Sequence, residues 1–289
     1  MPIIVNMACG LANRMFQYSY YLYLQSLGYD VRVDFYRTAK LAHEEVAWER
    51  IFPHAVLPQA AQSCVFWLGG GSDLLSKVRR RMPFGHRVKQ MQTAFDCTLP
   101  DTKHGSQYMI GVFQNAEMVD SVRSIAQDVF RFSPFEEAKN RQRQLQMQAE
   151  NSVAIHIRKG RDYQSNQYLK GTCPVEYYQR AVAYIRKHVE NPKFYIFTDN
   201  PQWVRDNISF FEYTLIEDNP NSGWGSHFDM QLMSCCRHQI ICNSTYSWWG
   251  AYLNTHPDKI VIGPHQWFNP NSCEESTSER TLCRDWIAL

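Results

Sequence analysis

The sequence predicts an α/β protein made of two Rossmann-like halves whose parallel sheets face a cleft, and three observations carry that expectation. The chain opens on a short apolar run, PIIVNM at 2–7, then a glycine-bearing loop, a helical stretch and the alternating run DVRVDF at 30–35. This is a strand–loop–helix–strand unit. From Ser152 onward, apolar runs of strand length alternate with runs of helical period, the pattern of a parallel, doubly wound sheet. The length, 289 residues, suits one large domain or two of ordinary size. The boundary is expected near Gln148, with a first domain over 1–148 and a second over 149–289.

Each element has its own signal. Residues 8–13 form a tight loop around Gly10, which permits close backbone approach. Strong helix formers from about 13 to 27 predict a helix that stops at Gly28, a residue suited to the first position past a helix end. The stretch 36–108 holds Pro53, Pro58, Gly69 to Gly71, Pro83 and Pro100, and predicts long connections with short helical pieces. A strand is expected at 108–113 and helices at 120–130 and 135–150. The last is so polar that it predicts a surface helix or an interdomain crossing. In the second half the strands are expected at 153–157, 193–198, 213–216, 238–242 and 259–262. The helices between them are expected at 174–188, 201–207, 228–236 and 245–253, with Pro201 at a favoured first position.

The composition narrows the function classes. Hydrophobic residues make up 44% and charged residues 20%, so a globular core is available. A net charge of +2 gives no reason to expect nucleic acid as a partner. The one strong basic run is Lys77 with Arg79, Arg80 and Arg81. It is either a solvated helix face or an attraction to an anionic membrane surface or acceptor. Nine cysteines, without paired knuckles, predict buried free thiols in a reducing compartment. No Cys/His set has zinc-ligand spacing, so no metal is expected. The opening MPIIVNMACG lacks the charged and apolar regions of a secretory leader, and no run approaches a membrane span. A cytoplasmic protein is expected, with peripheral membrane association as the alternative.

Three loops of the second half end strands in polar residues. The first runs from His156 through Arg158, Lys159, Gly160, Arg161 and Asp162 to Tyr163. The second is Thr198, Asp199 and Asn200; the third is Asn243, Ser244, Thr245 and Tyr246. Open α/β sheets bind ligands at the carboxyl ends of their strands. Arg158 offers a permanent, forked donor suited to a diphosphate. Ser244 and Thr245 start a helix, where free N–H groups and hydroxyls receive an anion, although Ser244 also serves as a plain N-cap. Asp229 begins a helix and is either a helix-start carboxylate or an acceptor for two adjacent base donors. His156 is structural or catalytic depending on the pleat. Trp248 and Trp249 are expected in the core. In the first half, Gly10, Asn13 and Arg14 lie where the first strand turns into the first helix, and Asn13 offers both a donor and an acceptor.

The motifs GLANRMFQY (10–18), HIRKGRDY (156–163), FTDN (197–200), DMQLMSCCRHQIICNSTYSWWGAYLN (229–254) and VIGPHQWF (261–268) occur in a recognisable order. Together they make the chain resemble glycosyltransferase family 11, the α-1,2-fucosyltransferases that use GDP-fucose. The likeness spans nearly the whole chain, is strongest in the second half, and points to a bacterial-type member.

The resemblance implies a GT-B-like fold, GDP-fucose held mainly by the second domain, and metal-independent, inverting transfer without a cofactor. It implies that Arg158 binds the diphosphate, that Ser244, Thr245 and Tyr246 line the phosphate and sugar, and that Asp229 reads the nucleotide. Asn13 is expected to face the reacting sugar. Lys159, Arg161, Asp199 and Asn243 join the expected donor-binding set. The family pattern HxRRGDY is altered here: Lys159 replaces the second Arg, and Arg161 separates Gly160 from Asp162. The expected partners are GDP-fucose and a galactose-terminated oligosaccharide or glycolipid, fucosylated at the 2-hydroxyl. Proton removal falls to Asp162, His156 or an acidic residue of the irregular region. The rivals are a different linkage, or a carbohydrate-binding protein of the same fold without catalysis. A dehydrogenase or epimerase would need GxGxxG after the first strand, which ACGLAN does not supply.

Overall fold

A computed structural model describes residues 2–35, 44–68, 78, 87–101, 103, 105–272 and 275–289. The basic residues at 77 and 79–81 and the glycines at 69–71 lie outside them. The chain forms two compact units, Met1–Ser133 and Pro134–Leu289. Each is an α/β layer structure around a parallel sheet, as the sequence predicts.

In the first unit, strand β1 (Ile3–Asn6) is buried along its whole length, as an inner parallel strand requires. It leads into helix α1 (Leu11–Ser26) and strand β2 (Val31–Asp34). Gly28 takes a φ of 87° and donates its N–H to Gln25 O, closing the helix where the sequence places its end. The segment expected to be irregular holds helices α2 (Glu44–Ile51) and α3 (Gln62–Trp67) and strand β3 (Val88–Gln90). Trp48 fastens α2 by packing on Tyr18, Phe52 and Phe130, with ring centroids 5.6, 5.4 and 6.1 Å away.

Strand β4 (Gln107–Ile110) is shorter than the expected 108–113. Past it, Phe113 adopts a left-handed φ of 52°, which breaks the extended backbone. The helix expected at 120–130 is α5 (Arg123–Val129), and a short helix that the sequence did not announce, α4 (Ala116–Asp120), precedes it. Asn115 caps α4 by accepting the Met118 N–H at 2.9 Å. The sheet order is β2-β1-β4-β3, all parallel.

The second unit starts with α6 (Ala138–Ala149), which the sequence reading gave to the first domain. Its Met147 is buried in one cluster with Phe228, Leu232 and Cys236, so the helix packs within the second unit despite its polar surface. The chain continues through β5 (Ser152–Ile157), α7 (Arg161–Ser165), α8 (Val175–His188), β6 (Lys193–Thr198), α9 (Pro201–Asn207) and β7 (Thr214–Ile216). Then come α10 (Phe228–Cys235), β8 (His238–Ile240), α11 (Thr245–Tyr252), β9 (Val261–Gly263) and β10 (Ile287–Ala288).

The order is β10-β9-β8-β5-β6-β7, with parallel pairing throughout. From β5 the chain winds outward to β7, then returns to the other side of β5 for β8. The strand order therefore reverses between β5 and β8, the place where doubly wound sheets bind ligands. On one face Val153, Ile155 and Ile157 pack against α8; on the other Ala154 packs with α10. Trp248 and Trp249 are buried, as expected, and Trp248 donates to Thr281 O at 2.6 Å. Among the described residues no helix is long and apolar enough to cross a membrane.

Candidate active site

The reversal point puts Arg158 just past the end of β5 and Asn243 and Ser244 just past the neighbouring β8. Arg158 is half-buried. Ser244 has an extended backbone and caps α11, its Oγ accepting the Tyr246 N–H at 3.3 Å. Thr245 is half-buried at the first position of that helix. Asn243 is buried and donates to Trp267 O at 3.1 Å, so it braces the loop.

The loop bearing Arg158 is pinned from several sides. Asp199 Oδ1 accepts the Lys159 N–H at 2.7 Å and the Gly160 N–H at 2.9 Å. Lys159 O accepts Gln164 Nε2 at 2.9 Å and Asn200 Nδ2 at 3.0 Å. Asp199, expected to touch the donor, thus spends one carboxylate oxygen on the main chain. Lys159 also departs from its expected role. Its ammonium is buried, donates to Cys173 O at 2.8 Å, and lies 4.9 Å from the Tyr163 ring and 5.2 Å from the Trp203 ring. Burial holds its pKa below the usual lysine value, against the pull of Cys173, Cys242 and Asp199. The ammonium is thus committed inward in this structure. Arg161 is exposed at the start of α7. Asp162 is on α7 too, with its side chain outside the described residues.

His156 is buried, with Nδ1 3.2 Å from Cys242 Sγ. Burial first, and then the Arg158 guanidinium, push its pKa down to about 3. A ring held in that range is neutral and a weak proton acceptor near pH 7. Tyr246 is fixed as well. Its hydroxyl accepts the Met230 N–H at 2.9 Å and donates to Ser226 O at 2.8 Å, tying α11 to the start of α10.

Asp229 stands in the first turn of α10. Its Oδ1 accepts Asn219 Nδ2 at 2.8 Å, and Asn219 Oδ1 accepts Nδ2 of the fully buried Asn140 at 3.1 Å. Arg143 and Lys139 of α6 pair with Asp218 at 2.8 and 3.2 Å. Burial raises the Asp229 pKa to about 6, opposed by the Asn219 hydrogen bond and the Arg143 charge.

In the first unit the strand order reverses between β1 and β4. There Gln17 accepts the Ala8 N–H and donates to Gly111 O, both at 2.8 Å. Asn13 Oδ1 accepts Gln114 Nε2 at 3.2 Å. Gly10 itself has an ordinary φ of −72° and open space at its Cβ position; the left-handed residue of this loop is Cys9, at 70°. Among the described residues no group of three or more His, Cys, Asp or Glu is placed to hold a metal ion.

The sequence model of glycosyl transferase family 11 matches residues 93–289. The chain belongs to this family. It is 33% identical over 190 residues to O-antigen biosynthesis glycosyltransferase WbnK of Escherichia coli, covering 63% of this chain and 60% of the relative. It is 34% identical over 152 residues to an Escherichia coli alpha-1,2-colitosyltransferase, covering 48% of each. The matches thus span less than two thirds of these relatives' lengths. Galactoside alpha-(1,2)-fucosyltransferase 1 of Bos taurus is 29% identical over 104 residues, 35% of this chain and 29% of that one. The crystal structure of NodZ alpha-1,6-fucosyltransferase soaked with GDP-fucose has a TM-score of 0.50 over 90% of this chain and 94% of that chain, at 12% identity. That likeness concerns the fold alone, which is GT-B.

This family 11 site also uses residues that sequence reasoning passed over. Gln164 and Cys173 join the expected Asn200 in holding the Arg158 loop, and Asn219 with Asn140 holds Asp229. Only Asn200, within FTDN, carried a motif signal. The Asn140–Asn219 pair is separated by 79 positions in the sequence, and nothing local announces it.

Proposed function

We propose that this glycosyltransferase moves L-fucose from GDP-fucose to the 2-hydroxyl of a galactose-terminated oligosaccharide or glycolipid, with inversion to an α linkage. The observation that carries the reading is Arg158 and Ser244 on neighbouring strand ends at the reversal point of the second sheet. As the sugar–phosphate bond breaks, the leaving diphosphate gains charge. Arg158 and the N–H groups at the start of α11 stabilise that charge as fixed donors. Asp229 accepts the two adjacent N–H donors of the guanine edge, and Asn219 orients it. Asn13, oriented by Gln114, hydrogen-bonds a sugar hydroxyl. With His156 a weak base, the proton from the attacking hydroxyl goes to Asp162 or to an acidic residue of the irregular region of the first unit. Arg161 adds charge at the start of α7.

The relatives' names support the 2-linkage, and the identity to a colitosyltransferase favours a second reading, in which the sugar moved is colitose. The test is GDP release from GDP-fucose with and without lactose. Lactose-dependent release with an α-1,2-fucosylated product supports the proposal. Absence of GDP release with either condition contradicts it.

A further inference from the structure

The stretch 261–268 plays no part in the donor assignment, yet His265 and Gln266 line a cavity of about 770 Å³. The other walls come from the turn after α7, with Lys170 and Thr172, and from α8, with Tyr177 and Arg180. Lys170, Arg180 and His265 are exposed, and no Asp or Glu side chain is among the described residues lining the cavity. Gln266 Oε1 is buried and has no hydrogen-bond partner. A buried acceptor left in this state is unfavourable, and turning the half-buried Gln266 side chain toward the cavity would let a ligand hydroxyl satisfy it.

The walls are tied together before any ligand arrives. Asn269 donates its N–H to Tyr168 O at 2.7 Å and its Nδ2 to Lys170 O at 3.3 Å. Tyr177 OH donates to Ile241 O at 2.5 Å and its ring is buried in the core, which fixes the floor beneath the cavity. The cavity lies on the α8 side of the sheet, where Tyr177 packs, whereas Tyr246 packs with α10 on the other side. It is nevertheless joined to the Arg158 loop. Thr172 Oγ1 is 2.9 Å from Tyr163 OH, and the Tyr163 ring faces the Lys159 ammonium.

We infer that this cavity is a second ligand site, for a sugar bearing a carboxylate or a phosphate. Lys170 and Arg180 meet the anionic group, and the orphaned carboxamide oxygen of Gln266 receives a sugar hydroxyl. The inference rests on the cavity and not on the identity of the donor.

The test is calorimetry on the intact protein with 3′-sialyllactose, galactose 1-phosphate and lactose, with GDP titrated separately. At least one charged sugar is expected to bind about tenfold or more tightly than lactose, the scale of a charge-assisted contact. Which one binds identifies the carboxylate or the phosphate. The double substitution Lys170→Ala/Arg180→Ala, at exposed positions, should remove that preference, and Gln266→Leu should weaken binding several-fold. GDP affinity should be unchanged in both. The inference is overturned if neither charged sugar exceeds lactose, if the substitutions leave binding intact, or if GDP affinity falls in parallel.

Discussion

Asp199 holds Gly160: one carboxylate oxygen at the end of β6 accepts the Gly160 N–H at 2.9 Å and, beside it, that of Lys159 at 2.7 Å. The strand next to β5 thereby sets the direction in which the chain leaves β5, and with it the place of Arg158. A site built on pinned main chain needs no reorganisation when the diphosphate gains charge.

Asp199→Ala should therefore act through Arg158. It leaves two N–H groups without their acceptor, a loss of about 1–3 kcal/mol in stability. Turnover should fall by about tenfold or more, because misplaced groups are costly in the transition state. Asp199→Asn keeps an acceptor oxygen and should fall between. Thermal melts and steady-state kinetics on both variants measure this; full activity in Asp199→Ala would show that the pin is dispensable.

Lys159→Met separates structure from binding. The thioether chain keeps the stem among Tyr163 and Trp203 and removes the charge. GDP affinity should change by less than about threefold, whereas loss of a true phosphate contact costs about tenfold or more. A drop of that larger size on calorimetry would return Lys159 to the donor site.

His156 should stay neutral across the working range. With its pKa pushed down to about 3, the ring Cε1–H resonance should not move between about pH 5.5 and 8, where an ordinary histidine titrates. NMR of the protein labelled at histidine reads this directly. A midpoint near 6.5 would restore His156 as a base.

Burial sets Asp229 apart from Asp218, whose carboxyl is held low by its hydrogen bond to Arg143. The Asp229 carboxyl is raised to about 6, and only the ionised form accepts both guanine donors. GDP-fucose affinity should therefore be level above about pH 7 and fall as pH drops below about 6, approaching tenfold per unit at the limit. Asp229→Asn should bind more weakly and lose this dependence. GDP-fucose is the ligand to use, since its diphosphate is esterified at both ends and does not itself titrate there.

Much of this architecture was legible in the sequence, for physical reasons. SVAIHI reads as a buried parallel strand because both of its faces are covered. Gly28 marks a helix end because a left-handed residue is needed there. What could not be read depends on contacts between distant positions. Helix α2 exists because Trp48 fits among Tyr18, Phe52 and Phe130, and no local period reports that. The sequence put Lys159 in the donor-binding set, and only the folded loop shows its ammonium turned toward Cys173 O. The pairing of α6 with α10 runs through Met147 and the Asn140–Asn219 contact, both hidden within a polar stretch.

The central claim is that Arg158, held at the reversal point beside Ser244, is the fixed donor for the leaving diphosphate. Single-turnover transfer from GDP-fucose to lactose by Arg158→Ala, with circular dichroism to verify the fold, tests it most directly. The account predicts a folded protein whose rate is down by roughly 100- to 1000-fold, the usual loss for one such donor. Arg158→Lys should recover little, because an ammonium lacks the guanidinium fork. A folded Arg158→Ala retaining more than about a tenth of the wild-type rate would contradict the account.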